Sequence, residues 1–285
     1  MATETAHGVD IGAADASSRE YELTAAQFAH ITSLLKAHSG IRMRAGKEGL
    51  VRARLAKRLR ALRLSGFDEY LALIEHEGDG VERAQMIDAL TTNMTSFLRE
   101  SAHFDYIREQ LLPSLRNDAR VWSAGCASGQ EPYTLAMLLA SAGKATGTSD
   151  ASILATDISE RVLATARTGT YDADLLAAVP ADWRERFWIR ETLDARDVFT
   201  ASQQLRRHVR FERLNLIDDW PMAGGFDAIL CRNVMIYFEK ATQQRLVDRF
   251  WAMLRPGGHL FVGHSEGLSG LTHRFRYVLP AIYVK

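Results

Sequence analysis

The first third of the chain carries apolar residues three and four positions apart, the spacing that places them on one face of a helix. Thr24 followed by Gln27 forms a capping box, which predicts the start of a first helix, and Ser39-Gly40 predicts its end. Three more helices are predicted, at about 47–64, from about 68, and at about 81–90. No strand pattern interrupts them, so residues 21–90 are predicted to form a small helical domain.

Beyond residue 120 short apolar runs alternate with amphipathic segments. The runs predict strands at 121–124, 153–156, 209–211, 226–231 and 259–262, with a turn at 256–258. Helices are predicted between them, at 132–142, 159–167 and 240–254. This alternation is typical of a mostly parallel sheet with helices on both faces, so residues 120–285 are predicted to form a Rossmann-like α/β domain. Its C-terminus is predicted to be an antiparallel hairpin, 275–278 with 281–284.

Three segments stand apart from these two patterns. Residues 1–20 are rich in Ala, Thr, Ser and Asp and are predicted to be a disordered tail. Residues 91–119 form a connector that ends in a helix. The interval at about 171–208 is longer than a simple crossover, and within it 187–190 and 197–201 are predicted to pair, forming a small inserted β-subdomain.

Composition narrows the class of protein. The chain has 285 residues, of which 47% are hydrophobic, enough for a sizeable core and roughly two domains. No apolar run approaches the roughly 18 residues of a membrane span, and no signal peptide is evident, so we expect a cytoplasmic protein without membrane insertion. Cys126 and Cys231 are far apart and lie in apolar surroundings, so buried free thiols are favoured over a disulfide or a metal site.

The 35 basic and 35 acidic residues cancel over the whole chain, but not within the second predicted helix. Residues 41–64 contain nine basic residues and one acidic residue, a net charge of +8. One face of the helix is apolar: Val51, Leu55, Leu59 and Leu62. Arg54, Lys57 and Arg60 are predicted to point away from that face. A surface that carries almost only positive charge predicts an acidic partner. The residues predicted to bind it are Arg54, Lys57, Arg58 and Arg60. Nucleic acid fits the charge, but interleaved aromatics and a base-reading motif are missing.

A second group of residues indicates a cofactor. The strand at 121–124 runs into a glycine turn, and Glu131 stands at the start of the next helix, where it would repel a phosphate and suit an ammonium group. Asp157 follows the second strand, a position that accepts hydrogen bonds from ribose hydroxyls; the alternative is a helix cap with Glu160. A ribose-binding acid without a phosphate cradle favours S-adenosylmethionine over NAD.

Two further segments fit the same cofactor site. Asn215-Leu216 follows the strand at 209–211, where an adenine could be bracketed, although an ordinary turn is an equal alternative. Arg232, Asn233 and Tyr237 follow the strand at 226–231, and ligands bind at such carboxyl ends. This stretch lacks the Asn-Pro-Pro-Tyr or Asp-Pro-Pro-Tyr motif usual in methyltransferases that act on base amino groups. A planar amine is therefore not the expected acceptor.

These motifs together resemble the CheR-type chemotaxis receptor methyltransferases over about residues 22–285. The matching segments are Thr-Thr-Asn-Met-Thr-Ser-Phe-Leu-Arg-Glu (91–100), Ser-Gly-Gln-Glu-Pro-Tyr (128–133), Ala-Thr-Asp-Ile (155–158), Asn-Leu (215–216), Cys-Arg-Asn-Val-Met-Ile-Tyr-Phe (231–238) and Gly-His-Ser-Glu (263–266). The resemblance implies methyl transfer from S-adenosylmethionine to glutamates on the cytoplasmic helices of a chemoreceptor, leaving S-adenosylhomocysteine. Some family members hold a receptor peptide with a glycine-containing loop; residues 191–197 contain no glycine, which leaves such docking open.

The resemblance also implies residue roles. The implied cofactor contacts, in chain order, are Asn93, Thr95, Arg99, Glu131, Asp157, Asn215, Leu216, Arg232 and Asn233. Arg99 and Tyr237 would lie nearest the methyl group, and they are the predicted catalytic residues. A monomer is expected. Two alternatives stay open: a signalling module that binds the cofactor or a receptor without catalysis, and a methyltransferase for nucleic acid or a small molecule.

Overall fold

The computed structural model describes residues 21–78, 80–115, 118–143 and 152–285. They fall into two compact units: one holds the described residues up to His38 together with Arg42–Leu90, and the other holds Ser39–Ile41 and Thr91–Lys285. The predicted tail at 1–20 lies outside the described residues. None of the described helices is both long and apolar enough to cross a bilayer.

The first unit is entirely helical, as predicted. Its helices are α1 (Ala25–Ser39), α2 (Glu48–Leu62), α3 (Phe67–His76) and α4 (Val81–Leu90). The capping box is confirmed: the Thr24 amide donates to Gln27 Oε1 at 2.9 Å, and the Gln27 amide donates to Thr24 Oγ1 at 3.2 Å. Gly40, in a left-handed conformation with φ +73°, follows the end of α1.

Helix α2 buries the predicted apolar face but uses part of its positive charge internally. Val51, Leu55 and Leu59 are buried, whereas Leu62 is only half-buried. Lys57 and Arg60 are exposed, as predicted. The prediction that Arg54 points away from the apolar face is wrong, because its side chain is half-buried and donates to the Leu90 carbonyl oxygen at 2.8 Å.

Arg58 joins three helices of this unit through one buried carboxylate. Its Nε donates to Glu82 Oε1 at 2.9 Å, and a second guanidinium nitrogen pairs with the other oxygen. The Tyr70 hydroxyl also donates to Glu82 Oε1, at 2.9 Å. Glu82 is only 6% exposed, so these donors replace the water that its charge would otherwise need.

A seven-stranded sheet forms the centre of the second unit. The strands of this unit are β1 (Val121–Ala124), β2 (Ile153–Asp157), β3 (Thr170–Asp172), β4 (Trp188–Leu193), β5 (Arg196–Ala201), β6 (Val209–Arg213), β7 (Phe226–Cys231), β8 (Leu254–Val262), β9 (Arg276–Leu279) and β10 (Ile282–Val284). The large sheet has the order β6-β2-β1-β7-β8-β10-β9. Neighbours from β6 to β8 are parallel, and β10 runs antiparallel to both β8 and β9. The predicted α/β fold class is confirmed, including the C-terminal hairpin.

Helices cover both faces of this sheet. The helices of this unit are α5 (Ser101–Tyr106), α6 (Gln130–Ser141), α7 (Glu160–Thr168), α8 (Ala181–Phe187), α9 (Gln203–Arg206) and α10 (Lys240–Met253). A π-helical turn, Ile107–Leu111, continues α5. Strand β7 shows why its sequence is apolar without alternation: Ala228 and Leu230 pack in the cluster that contains α6, and Ile229 and Cys231 in the cluster that contains α10.

The predicted turn at 256–258 is wrong, because β8 runs through it. The pairing with β7 steps from Phe226 opposite Leu254 to Ala228 opposite His259, so extra residues bulge out of the strand. Gly257 adopts φ +76°, and a Cβ on Gly258 would lie 2.9 Å from the Phe226 carbonyl oxygen. Glycine, which signals a turn in the sequence, here permits a bulge and a close approach of two backbones.

The predicted pairing within the inserted segment is confirmed, with one strand more than expected. Strands β3, β5 and β4 form a separate antiparallel sheet in that order. Strand β3 has only three residues, too few for a recognisable pattern in the sequence. Its central residue, Tyr171, donates from its hydroxyl to the Ser128 carbonyl oxygen at 2.7 Å and packs edge-to-face on Phe97 at 5.2 Å.

Replacing Glu82 with Ala should destabilise the helical unit. The change leaves Tyr70 and Arg58 without their shared acceptor, and we expect a loss of about 2 kcal/mol in unfolding free energy, limited by the partial exposure of Arg58. Hydrogen exchange of the α2–α4 amides measures it. Glu75→Ala is the matched control: its pair with His30 is exposed, and its loss should cost at most about 0.5 kcal/mol. Equal effects of the two changes would contradict the role given to Glu82.

Candidate active site

The predicted cofactor residues lie where the strand order of the large sheet reverses. Strand β2, which follows β1 in the chain, pairs with one edge of β1, and the later strand β7 pairs with its other edge. The carboxyl ends of β1 and β7 therefore border the crevice in which open α/β sheets bind ligands. The loop after β1, Asp157 at the end of β2, and Arg232 after β7 all start from this edge.

The loop between β1 and α6 depends on two glycines with positive φ, Gly125 at +90° and Gly129 at +96°. A Cβ on Gly125 would lie 2.3 Å from Val234 Cγ2, and a Cβ on Gly129 would lie 2.7 Å from Tyr171 Oη. The glycines thus allow the loop to pack against the segment after β7 and against the small sheet.

Arg232 is buried between two carboxylates and connects three segments of the site. It is 6% exposed, and it donates to Glu131 Oε2 at 2.9 Å and to Glu100 Oε2 at 3.2 Å. It also donates to the Arg99 carbonyl oxygen. The other oxygen of Glu131 accepts from the Ser123 hydroxyl at 2.7 Å. The connector, the start of α6 and the end of β7 are therefore fixed around one guanidinium.

The charges of this group do not cancel. Burial opposes ionisation of Glu100, but the charge of Arg232 and hydrogen bonds from Asn233 and Arg232 outweigh it, so the pKa of Glu100 lies below its ordinary value. Glu100 and Glu131 carry two formal negative charges against the one positive charge of Arg232. The remaining negative charge suits a cationic ligand group such as an ammonium or a sulfonium.

Asp157 is oriented by the backbone on both sides of its carboxylate. Its Oδ2 accepts from the Ala127 amide at 2.9 Å, and its Oδ1 accepts from the Ser159 amide at 3.0 Å. The capping alternative for Asp157 is wrong, because the N-cap of α7 is Ser159, whose hydroxyl accepts from the Val162 amide at 3.4 Å. Two backbone donors therefore fix the orientation of this carboxylate.

Unfavourable backbone conformations are concentrated around this site. Eight non-glycine residues of the described chain have positive φ. Four of them belong to the connector, the β1–α6 loop or the segment after β7: Leu98, Glu100, Ala127 and Asn233. Each such residue costs on the order of 1 kcal/mol or more, and it persists only where surrounding contacts impose it. That half of them border one crevice supports a functional reason for the arrangement.

The remaining predicted residues of the connector and of the 231–238 segment are half-buried: Asn93, Thr95, Arg99 and Tyr237. Asn93 Nδ2 donates to Thr91 Oγ1 at 3.1 Å, and Arg99 Nη1 donates to the Met94 carbonyl oxygen at 2.9 Å. The Arg99 side chain therefore stabilises the turn of its own segment, while its carbonyl accepts from Arg232. The contacts of Arg99 and Tyr237 with a substrate stay predictions.

Asn215 and Leu216 follow β6 at the same edge of the sheet. Asn215 Oδ1 accepts from the Ile217 amide at 3.4 Å, as in the ordinary turn considered from the sequence. Leu216 is 7% exposed and packs in the cluster that contains α10. The role of both residues beside an adenine stays a prediction.

Sequence reasoning did not assign roles to four residues that shape the site: Ser123, Tyr171, Glu100 and Glu266. Ser123 had a usable signal, because it is a polar residue inside an apolar strand. Glu100 and Glu266 stood within the matched motifs, but nothing in the sequence showed that both are buried or nearly so. Tyr171 gave no signal, since its bond to Ser128 joins residues 43 positions apart.

His103 lies beside this group and is kept neutral by its surroundings. It is 1% exposed and packs against the rings of Phe261 and His264. Burial, with the nearby charge of Arg232, lowers its pKa to about 4. Potential metal-ligand atoms of Glu100, His103 and His264 lie within 4.8 Å of one another, but a cation there would compete with Arg232 for Glu100. That the chain binds no metal stays a prediction.

Comparison with known proteins covers both units. Residues 26–91 match the family model of the CheR methyltransferase all-alpha domain, and residues 93–284 match that of the CheR methyltransferase SAM binding domain. A probable chemotaxis protein methyltransferase of Rhizobium etli is 40% identical over 83% of this chain and 91% of its own. Chemotaxis protein methyltransferase 2 of Pseudomonas aeruginosa is 40% identical over 93% and 95%. The chemotaxis protein methyltransferase of Escherichia coli is 39% identical over 92% and 91%.

Acid should destabilise the protein partly through His103. The folded-state pKa of about 4 lies below the ordinary value of 6.5, so the unfolded chain takes up the proton first as pH falls. Stability is therefore lost between about pH 6.5 and pH 4, by on the order of 3 kcal/mol from this group. Unfolding free energies measured at pH 7 and pH 4.5 should differ less in His103→Gln than in the original protein. The exposed His30→Gln is the control, and it should keep the original slope. An unchanged slope in His103→Gln would contradict the assignment.

Proposed function

The chain belongs to the CheR methyltransferase family, and we propose that it methylates glutamate side chains on the cytoplasmic helices of chemoreceptors. It is an S-adenosylmethionine-dependent methyltransferase. The observation that carries the proposal to this chain's own residues is the pair of oriented carboxylates, Glu131 at the start of α6 and Asp157 at the end of β2. Hydroxyl or backbone donors orient both carboxylates, and the acid at the start of α6 disfavours a phosphate there.

The residues present fit the cofactor. Glu131 would bind the ammonium group of the cofactor, since Arg232 and its two carboxylate partners, Glu100 and Glu131, together carry an excess negative charge. Asp157, whose carboxylate is oriented by the Ala127 and Ser159 amides, would take the ribose hydroxyls. The other proposed contacts are Asn93, Thr95, Arg99, Asn215, Leu216, Arg232 and Asn233.

The chemistry needs little from the protein beyond positioning. When bound, S-adenosylmethionine supplies a methyl group on a cationic sulfur; the glutamate oxygen forms the new O–CH3 bond, and the S–CH3 electron pair stays on sulfur. A glutamate carboxylate, with a pKa of about 4.3, is already ionised at neutral pH, so no general base is required. We assign orientation of the acceptor carboxylate to Arg99 and of the donor geometry to Tyr237.

The partner surface is proposed on α2. Lys57 and Arg60 are exposed, so they are the first candidates to meet an acidic receptor helix. Arg54 and Arg58 are weaker candidates, because the former bonds to Leu90 and the latter pairs with Glu82. A receptor's cytoplasmic helices require a cytoplasmic enzyme, which is the location we infer. A monomer and the absence of nucleic-acid binding stay predictions.

The direct test is transfer of radiolabelled methyl groups to receptor cytoplasmic fragments. We expect alkali-labile label on glutamate, as a carboxyl methyl ester requires. Arg99→Ala should lower turnover about 100-fold, because a misplaced acceptor loses most of the benefit of orientation, while circular dichroism shows an intact fold. Cofactor binding without transfer to any receptor would favour the signalling-module alternative. Near-normal turnover of Arg99→Ala would remove that residue from the catalytic assignment.

Charge reversal on α2 should weaken receptor recognition. Lys57→Glu with Arg60→Glu should raise the KM for a receptor fragment on the order of tenfold at low salt, and the effect should shrink as salt screens the charges. The cofactor's dissociation constant should not change. Arg207→Glu with Arg245→Glu makes the same change in net charge at exposed positions of the other unit and serves as control. Equal KM changes in the two double variants would argue against a specific receptor surface on α2.

A further inference from the structure

Glu266 ends the Gly-His-Ser-Glu motif and has no part in the chemistry proposed so far. It lies after β8, and it is 7% exposed. Its Oε2 accepts from the backbone amides of Asn233 at 2.5 Å and Gly263 at 2.7 Å, and its Oε1 accepts from the Ile236 amide at 3.0 Å. One carboxylate therefore binds backbone donors from two segments that are about 30 residues apart in sequence.

The surroundings leave space for this carboxylate and little else. A Cβ on Gly263 would lie 2.6 Å from Glu266 Oε2 and 2.9 Å from the Asn233 amide nitrogen, so a side chain at 263 would displace both. Glu266 makes no ion pair within 4.0 Å among the described residues, and its carboxylate accepts hydrogen bonds from backbone N–H groups. Such an arrangement needs an acceptor on both oxygens, which a carboxylate has and a carboxamide lacks.

The bonded amides belong to the segment that carries predicted site residues. Asn233 is held at φ +60°, and its Nδ2 donates to Glu100 Oε1 at 3.3 Å, which joins it to the Arg232 group. Ile236 lies inside the short 3-10 turn Met235–Tyr237, directly before Tyr237. Glu266 thus fixes the backbone on both sides of Val234, including the turn from which Tyr237 projects.

We propose that Glu266 is a positioning residue for methyl transfer, acting through the turn that carries Tyr237 without contacting donor or acceptor. The proposal rests on the proposed function, since it assumes that Tyr237 lies nearest the methyl group. A backbone displacement of about 1 Å at a reacting site can cost 100-fold in rate, so loss of the acceptor lowers turnover more than it lowers affinity.

The test is Glu266→Gln, which keeps the size of the side chain and places an NH2 group where one oxygen accepted. We expect kcat to fall by about 10- to 100-fold. The KM for the receptor fragment should stay within about threefold of its original value. The factor by which the dissociation constant of S-adenosylhomocysteine rises should be at least ten times smaller than the factor by which kcat falls. The exposed Glu109→Gln, on the connector, is the matched control and should behave as the original protein.

A double-mutant cycle separates positioning from general support of the fold. In a Tyr237→Phe background, Glu266→Gln should lower kcat by less than about threefold, because its effect passes through Tyr237. Multiplicative losses, or affinity for S-adenosylhomocysteine falling in step with kcat, would overturn the proposal. If circular dichroism shows Glu266→Gln unfolded, Glu266→Asp, which keeps the charge but shortens the reach, takes its place under the same criteria. Absence of turnover in the original protein would instead refute the proposed function.

Discussion

The guanidinium of Arg232, buried between Glu100 and Glu131, is the interaction on which the site depends. Three segments that are distant in sequence meet there, and each brings a group that is costly to bury alone. Two carboxylates share one cation, and hydroxyl and amide donors from Ser123 and Asn233 satisfy the oxygens that remain. Removing Arg232 would leave both carboxylates without their shared cation. The left-handed backbone at Glu100 and Asn233 is tolerated because these side chains are held together.

In the helical unit, too, basic side chains pair with groups inside the protein. Residues 41–64 carry far more positive charge than negative, and that excess first suggested a surface for an acidic partner. Arg58 instead satisfies a buried acid on α4, and Arg54 satisfies a carbonyl at the end of that helix. Counting charges along a helix therefore overstates what is available to a partner. Exposure, which only the fold reveals, divides the basic residues into those that stabilise the unit and those that face solvent.

Sequence patterns predicted the fold well where they are long and local. The helix at 81–90 and the strands at 121–124 and 226–231 agree with the structure at both ends, because apolar spacing and flanking polar residues are sharp there. The third strand of the small sheet and the bulge in β8 were not predicted: three residues carry no period, and a Pro-Gly-Gly sequence indicates a turn as readily as a bulge. In the site, the sequence predicted both Arg232 and Glu131 as cofactor-binding residues. Their direct ion pair, 101 positions apart, could not be predicted, because local patterns hold no distances.

Tyr171 links the small antiparallel sheet to the loop that follows β1. One residue, Gly169, separates α7 from β3, so the small sheet takes its edge strand from the crossover that builds the parallel domain. The hydroxyl of Tyr171 then bonds to the carbonyl of Ser128, beside Gly129. The small sheet consequently could not be exchanged between homologues as an independent unit by replacing only the hairpin of β4 and β5. A chimera in which only β4 and β5 were replaced would keep β3 and Tyr171 of the original chain. The introduced strands would have to pair with β3 and pack against Tyr171.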